Sequence, residues 1–211
     1  MRNIIFKTKN KIFYVNTEII KYCIFPSKYC DYTQFNSTQI HPHAAIDRGV
    51  FKEHPHGYIK INSSAWDLKK GVLFSKLLEF RALKNHYIGK ENWKKSKFAL
   101  RNVYFIKQKN SVRGYINPKK FLIARERQID KLFESIIKNG VEEVNISKDK
   151  KLFIDNISLA LTKSKNLYFN NRGHHRLSIA KIVGVKKIPI KITIAKSKKI
   201  LEKFYLMHNN E

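Results

Sequence analysis

The chain has 211 residues, of which 43% are apolar and 12% aromatic, a composition that excludes a globally disordered protein. This length can bury one good hydrophobic core, which predicts one domain, or one domain with an elaborated half. Lysine and arginine total 43 against 16 aspartates and glutamates, giving a formal net charge of +27. The excess indicates an anionic partner: a nucleic acid, a nucleotide, a phosphorylated sugar or a membrane surface.

Two sequence features bear on the cellular compartment. No uninterrupted apolar run approaches the roughly 20 residues of a membrane span, and lysines interrupt the first apolar stretch too early for a signal peptide. We therefore expect a cytoplasmic protein with no membrane span. The two cysteines, Cys23 and Cys30, are too few for a disulfide framework and are expected to be reduced and structural.

The first elements in chain order are two short strands within residues 3–15, where aromatic and β-branched residues flank a polar turn. An irregular stretch follows, in which His41, His43, His54 and His56 stand in HPH and HPHG contexts. Histidines two apart can share a strand face and bind zinc or copper. No third or fourth ligand is visible at a suitable spacing, so we interpret these histidines as loop residues and expect no metal site.

Three helices are predicted in the middle of the chain from their apolar periodicity, over residues 72–87, 92–107 and 125–139. The third has the clearest pattern, with apolar residues at the 3.6-residue period and Gly140 directly after it. The region before residue 115 is therefore expected to be mainly helical.

The last third of the chain alternates between strand and helix signals. It predicts a hairpin from strands at residues 154–161 and 166–170, a helix at 174–183 that ends at Gly184, a strand at 188–194, and a final amphipathic helix at 197–207.

The junction between the hairpin and the next helix has the pattern of an anion site. Gly173 has no Cβ and opens a helix, where backbone N–H groups and the positive end of the helix dipole come together. The residues around it are Arg172, His174, His175 and Arg176. Cations in a first helical turn oppose the dipole, so an anion would explain them. In the alternative interpretation, Asn171 caps the helix and the basic side chains extend into water.

These residues resemble the ParB/sulfiredoxin superfamily, whose nucleotide-binding loop has the form G-x-H-R or D-G-H-H-R before an apolar helix, a glycine and an I-P-V strand. The helix LFESIIKNG, residues 132–140, is similar to the one that precedes the hairpin in ParB domains. The resemblance implies an α+β fold with three parts: an accessory region at 1–114, a nucleotide-binding core at 115–196 and a C-terminal helix at 197–211. The similarity of residues 1–114 to one branch of the superfamily is weaker.

The resemblance also implies ligands and roles. The loop, with cofactor-binding residues Arg172, Gly173, His174, His175 and Arg176, would bind the phosphates of ATP, ADP or CTP together with Mg²⁺. Sulfiredoxins carry a catalytic cysteine where this chain has a histidine, so that activity is not expected. Serine kinases of the superfamily have an aspartate where this chain has an arginine. The remaining carboxylates suited to acid–base or metal work are Glu134 and Asp155, which have ordinary structural interpretations as a helix pair and a turn residue.

Three functions remain open from the sequence. The first is a nucleotide-binding enzyme, either a phosphotransferase acting on a small molecule or a nucleotide hydrolase. The second is a DNA- or RNA-binding protein, with or without nuclease activity, because basic residues crowd the C-terminal region with few acids among them. The third is a regulatory domain that has lost catalysis.

Overall fold

The computed structural model describes residues 4–7, 12–23, 58–61, 72–109, 111–112, 114–143, 156–170 and 172–208. The strands are β1 Ile4–Lys7, β2 Phe13–Asn16, β3 Tyr22–Cys23, β4 Tyr58–Ile61, β5 Val72–Leu73, β6 Ile157–Leu161, β7 Leu167–Phe169 and β8 Lys187–Ala195. The helices are α1 Leu78–Tyr87, α2 Lys97–Lys109, α3 Pro118–Asn139, α4 His174–Val183 and α5 Lys198–His208. This mixture confirms the α+β class.

Within these residues, eight strands form one mixed sheet in the order β1-β4-β8-β6-β7-β3-β5, with β2 paired to β8 off this path. Strand β8 is the shared element of the sheet. It pairs in parallel with β6 and β4 and antiparallel with β2. Its isoleucines at positions 188, 190, 192 and 194 alternate along the strand and are all buried, as expected for a strand covered on that face.

Helix α4 follows β7 and lies inside the molecule. Residues 174–180 are all buried, and the helix contacts α1, α3 and β6. It ends where sequence periodicity predicts, because Gly184 adopts a left-handed conformation and its N–H donates to the carbonyl of Ala180. A helix buried on nearly all sides needs an apolar sequence. Residues 177–180 (LSIA) and 182–183 (IV) provide it.

The predicted helix starts differ from the observed ones for local reasons. Helix α1 begins only at Leu78, because residues 72–73 form β5 and residues 74–76 form a short 3-10 turn. Helix α2 likewise begins at Lys97 after another 3-10 turn. Helix α3 begins earlier than predicted, at Pro118, because the Asn117 side chain accepts a hydrogen bond from the Lys120 N–H and proline suits the first helical position.

The region before residue 115 is less helical than the sequence indicates. In the described residues it supplies five strands as well as two helices, and its strands join the same sheet as those of the C-terminal part. The two N-terminal strands were predicted, but β1 pairs with β4 and β2 pairs with β8. The domain boundaries at residues 114 and 196 stay a prediction.

The C-terminal helix α5 packs on β2 through aromatic contacts. The Phe13 ring stacks on Tyr205 at 5.0 Å and meets Phe204 edge-on at 5.2 Å. Buried aromatic pairs of this kind add to the stability that area burial provides. Among the described helices, including α5, none has both the length and the apolar character needed to cross a membrane.

Candidate anion-binding site

The loop between β7 and α4 is held by the start of β6. The Asn170 N–H donates to the carbonyl of Ser158 at 2.8 Å, and the Ser158 N–H donates to the carbonyl of Arg172 at 3.1 Å. Gly173 then opens α4 in a left-handed conformation, with φ 76° and ψ 21°. The loop is therefore an extension of the hairpin, and it directs the chain into the first turn of α4.

Gly173 has a structural requirement that is independent of any ligand. A Cβ built at this position would lie 2.8 Å from the Cα and 2.9 Å from the Cγ1 of Ile157. Both the positive φ and this close approach favour glycine. The space that the missing Cβ leaves is taken by strand β6.

The basic side chains of the first turn do not extend into water. His174, His175 and Arg176 are only 9%, 7% and 8% exposed. This contradicts the alternative interpretation in which they are solvated. The residue that caps α4 is Gly173, and within the described residues no side chain supplies the cap; Asn171 lies outside the described residues.

Arg176 is positioned by the segment that follows α3. Its Nη2 donates to the backbone carbonyl of Glu142. Burial lowers the pKa of the Arg176 guanidinium, and the nearby charge of Glu142 opposes that effect. The guanidinium is thus a cation taken largely out of water, which is costly unless polar groups or an anion compensate.

A further arginine reaches the same turn from α3. Arg125 Nη2 lies 3.1 Å from Nε2 and 3.3 Å from Nδ1 of His175. The His175 ring lies 3.9 Å from the ring of His174 and meets Phe98 of α2 edge-on at 5.9 Å. We call Arg125, His174, His175 and Arg176 the basic cluster.

Sequence reasoning did not identify the contact of Arg125 with His175. Arg125 stands 50 positions before His175, and no local spacing relates the two. The packing of α3 against α4 brings them together. Only a pairing of these two helices in three dimensions could have identified it.

A buried ion pair joins helices α1 and α2 near the basic cluster. Arg101 Nη2 is 3.2 Å from Glu79 Oε1, and both side chains are 4% exposed. The Arg101 guanidinium also sits over the Phe98 ring, at 5.2 Å from its centre. Glu79 Oε2 has no hydrogen-bond partner in the described part of the chain. Helices α1 and α2 are therefore joined by a pair of charges taken out of water. Phe98 contacts both this pair and His175 of the basic cluster.

Glu134, one of the two predicted catalytic carboxylates, lies on the side of α3 opposite to Arg125. It is exposed on α3, nine residues after Arg125, which places it on the opposite side of the helix and about 13 Å further along the axis. Within the described residues, no hydrogen bond or ion pair joins Glu134 to residues 173–176. Its charge instead contributes to the surroundings of Tyr87. A catalytic role for Glu134 stays a prediction.

The Tyr87 hydroxyl donates to Asp130 Oδ1 at 2.8 Å, and its ring stacks on Phe133 at 3.6 Å. Burial raises the pKa of the Tyr87 hydroxyl well above its ordinary value of 10.0, and the bond to Asp130 adds to this. A raised folded-state pKa contributes stability that is present below the unfolded value and is lost as the pH rises towards the folded value.

We expect the free energy of unfolding of the wild type to fall more steeply between pH 9 and 11 than that of Tyr87→Phe, because Tyr87 ionises in the unfolded chain in this range while the fold keeps it neutral. Urea titrations at the two pH values would measure the difference. All other ionisable groups are the same in the two proteins, so the comparison isolates Tyr87. Equal slopes for the two proteins would show that Tyr87 is not held neutral by its surroundings.

Of the remaining residues singled out from the sequence, some lie in the described part of the chain and others lie outside it. Arg172 is half-buried in the loop, directly before Gly173. Asp155, Cys30 and the histidines at 41, 43, 54 and 56 lie outside the described residues. In the described ranges, no group of three His, Cys, Asp or Glu side chains could hold a metal ion. Cys23 is buried in strand β3.

Comparisons with known proteins give no support from relatives. Protein-family models, curated proteins and solved structures all returned no match to the chain. The resemblance to the ParB/sulfiredoxin superfamily therefore stays a prediction that rests on the residues of the loop and on the order of elements around it.

Proposed function

We propose that the chain binds the phosphates of a nucleotide at the first turn of α4. The observation that carries the proposal is the burial of two histidines and one arginine in the first turn of a single helix, with a second arginine, Arg125 of α3, against one of the histidines. The four side chains of the basic cluster are buried or half-buried there. Because the cluster forms at the positive end of the α4 dipole, the local field is strongly attractive to an anion.

The chemistry of these groups suits phosphate. A guanidinium can donate two parallel hydrogen bonds to phosphate oxygens, and a histidine can donate one. The first turn of a helix adds backbone N–H groups that point along the axis. In a site with little water, these interactions are stronger than they would be at an exposed surface. Arg176 and His175 are the side chains expected to touch the phosphates, with Arg125 as a third contact.

The ligands that we propose are ATP, ADP or CTP with Mg²⁺, and the reaction class is phosphoryl transfer to a small molecule or nucleotide hydrolysis. This chain would contribute phosphate binding, orientation of the terminal phosphate and neutralisation of its charge. The described residues of the basic cluster include no carboxylate that could ligate Mg²⁺. The metal would accordingly come with the nucleotide phosphates, and Glu134 and Asp155 are the carboxylates to test by substitution.

Nucleotide binding can be measured by calorimetry with ATP, ADP and CTP in the presence of Mg²⁺, at two salt concentrations. We expect saturable binding by the wild type. Arg125→Gln and Arg176→Lys are each expected to weaken it by at least about tenfold, since each removes a hydrogen bond to a charged group. Arg176→Lys keeps the positive charge and so limits damage to the buried surroundings.

The matched control is Arg127→Gln, because Arg127 is exposed on α3 only two residues from Arg125 and carries the same charge. It is expected to leave the affinity within about twofold of the wild type. Absence of binding to all three nucleotides would refute the proposal. Equal losses in the Arg125 and Arg127 variants would show that net charge, and not the basic cluster, is responsible.

A further inference from the structure

A second basic surface lies at the other end of β8, on residues that the basic cluster does not include. The turn between β6 and β7 comes next to α5, because Lys165 Nζ points to Met207 Sδ at 4.0 Å and the Lys196 N–H donates to the carbonyl of Leu161 at 3.0 Å. We call the lysines of this turn, of the end of β8 and of α5 the lysine surface. Its members are Lys163, Lys165, Lys196, Lys198, Lys199 and Lys203.

Three of these lysines form a row. Lys199, Lys203 and Met207 follow each other at four-residue spacing along α5, and Lys165 contacts the last of them. Residues four apart lie on the same side of a helix, about 6 Å apart along its axis. Lys199 and Lys203 thus belong to the same side of α5 as Met207, and the Lys165 amine lies at the Met207 end of this row.

This arrangement is unfavourable for the folded chain alone. Lys198 and Lys199 stand in the first turn of α5, which contains no acidic residue, and cations there oppose the helix dipole. Like charges at the spacing of Lys199 and Lys203 repel each other. Among the described residues of α5, Glu202 is the single acid, and it pairs with Lys198 at 3.7 Å. A polyanion lying along the row would relieve both costs.

We propose that the lysine surface binds the phosphate backbone of a nucleic-acid duplex without reading its sequence. Lysines act as point charges for phosphates, and their number sets a binding constant that falls steeply with salt. The high positive charge of the whole chain would favour the approach of such a partner. The proposal is independent of nucleotide binding at the basic cluster.

The side chains of α5 favour a duplex over a single strand. Proteins that bind single strands stack bases on exposed aromatic rings. Here Tyr205 is stacked on Phe13 at 5.0 Å, and Phe204 is buried against the same ring. The exposed residues of the row are lysines, which contact phosphates and cannot stack on bases.

The two exposed apolar side chains nearby, Leu206 and Met207, offer only a small area for insertion into a membrane.

The test is fluorescence anisotropy with labelled 20-base-pair DNA and RNA duplexes of the same sequence, over a series of salt concentrations. The variant is the triple substitution Lys165→Gln, Lys199→Gln and Lys203→Gln. We expect it to bind either duplex at least about tenfold more weakly than the wild type at low salt. The slope of log K against log salt concentration should become shallower by about 3, roughly one unit for each phosphate that a lysine no longer neutralises.

The matched control is the triple substitution Lys84→Gln, Lys119→Gln and Lys131→Gln, which removes the same charge from exposed positions on α1 and α3. It should keep the wild-type slope. The proposal is overturned if both triple variants lose the same affinity, if neither duplex binds, or if a labelled single strand binds more tightly than the duplexes. Binding to vesicles of anionic phospholipid in preference to duplexes would overturn it as well. ATP binding measured on the same triple variants reports separately on the basic cluster.

Discussion

Replacing Glu79 with leucine is expected to lower the free energy of unfolding by about 3–5 kcal/mol, because the substitution leaves the Arg101 guanidinium buried without its carboxylate. Both side chains are almost completely removed from water, so solvent cannot take over the role of the partner. Urea denaturation at pH 7, followed by tryptophan fluorescence, measures the loss. The indole of Trp93 is buried and lies 5.4 Å from the ring of Phe98, which also carries the Arg101 guanidinium, so it is a suitable reporter.

Two further variants separate the ion pair from other effects of the substitution. Glu202→Leu removes the acid of an exposed pair on α5, and it is expected to change stability by no more than about 0.5 kcal/mol. The double substitution Glu79→Leu and Arg101→Met replaces both buried charges with apolar groups and should regain more than half of the loss. If Glu79→Leu costs no more than Glu202→Leu, the buried pair does not stabilise the packing of α1 against α2.

Gly173→Ala is expected to destabilise the protein by about 3 kcal/mol. A left-handed backbone costs a non-glycine residue about 1 kcal/mol, and overpacking typically adds about 1–3 kcal/mol. Overpacking applies here because the new methyl group would lie 2.8 Å from the Ile157 Cα, a backbone atom that cannot rotate away. The change is measured by urea denaturation.

Gly184→Ala is the matched control for this prediction. Gly184 has nearly the same backbone conformation, with φ 78°, but its Cβ would meet no described atom within 4 Å. Its substitution should therefore cost only the backbone term, about 1 kcal/mol. The difference between the two variants measures the close approach of β6 to the loop. Equal losses would mean that the loop can move away from β6 and that its conformation is not set by packing.

Much of the C-terminal third could be predicted from the sequence, because its elements carry local signals. Helix α4 matches its predicted bounds, as the apolar run ends at a glycine that adopts the left-handed C-terminal conformation. Strand β8 extends its prediction by a single residue at each end, and α5 is shifted by one residue. In each case the periodicity of neighbouring residues was sufficient to define the element.

The rest depended on partners far away in the chain. Residues 72–73 look like the start of a helix, yet they form β5 because β3 pairs with them. A strand of two residues has no periodicity, so only its partner defines it. The same holds for the candidate site: the loop could be read from the residues around Gly173, whereas the contact of Arg125 with His175 depends on helix packing. The burial of the basic side chains could likewise not be predicted from the sequence, since a run of cations normally indicates a solvated surface.

The position of β8 in the sheet affects how the protein can be made. Strand β2 pairs with β8, so Phe13 must wait for Ile190 before it can be hydrogen-bonded in the sheet. At the usual rate of translation, roughly 5–20 residues per second, this wait is on the order of 10–30 s. During synthesis, an apolar segment would leave the ribosome without its native neighbour and be open to association with other chains. A chaperone that holds nascent chains would protect this segment until β8 has been synthesised.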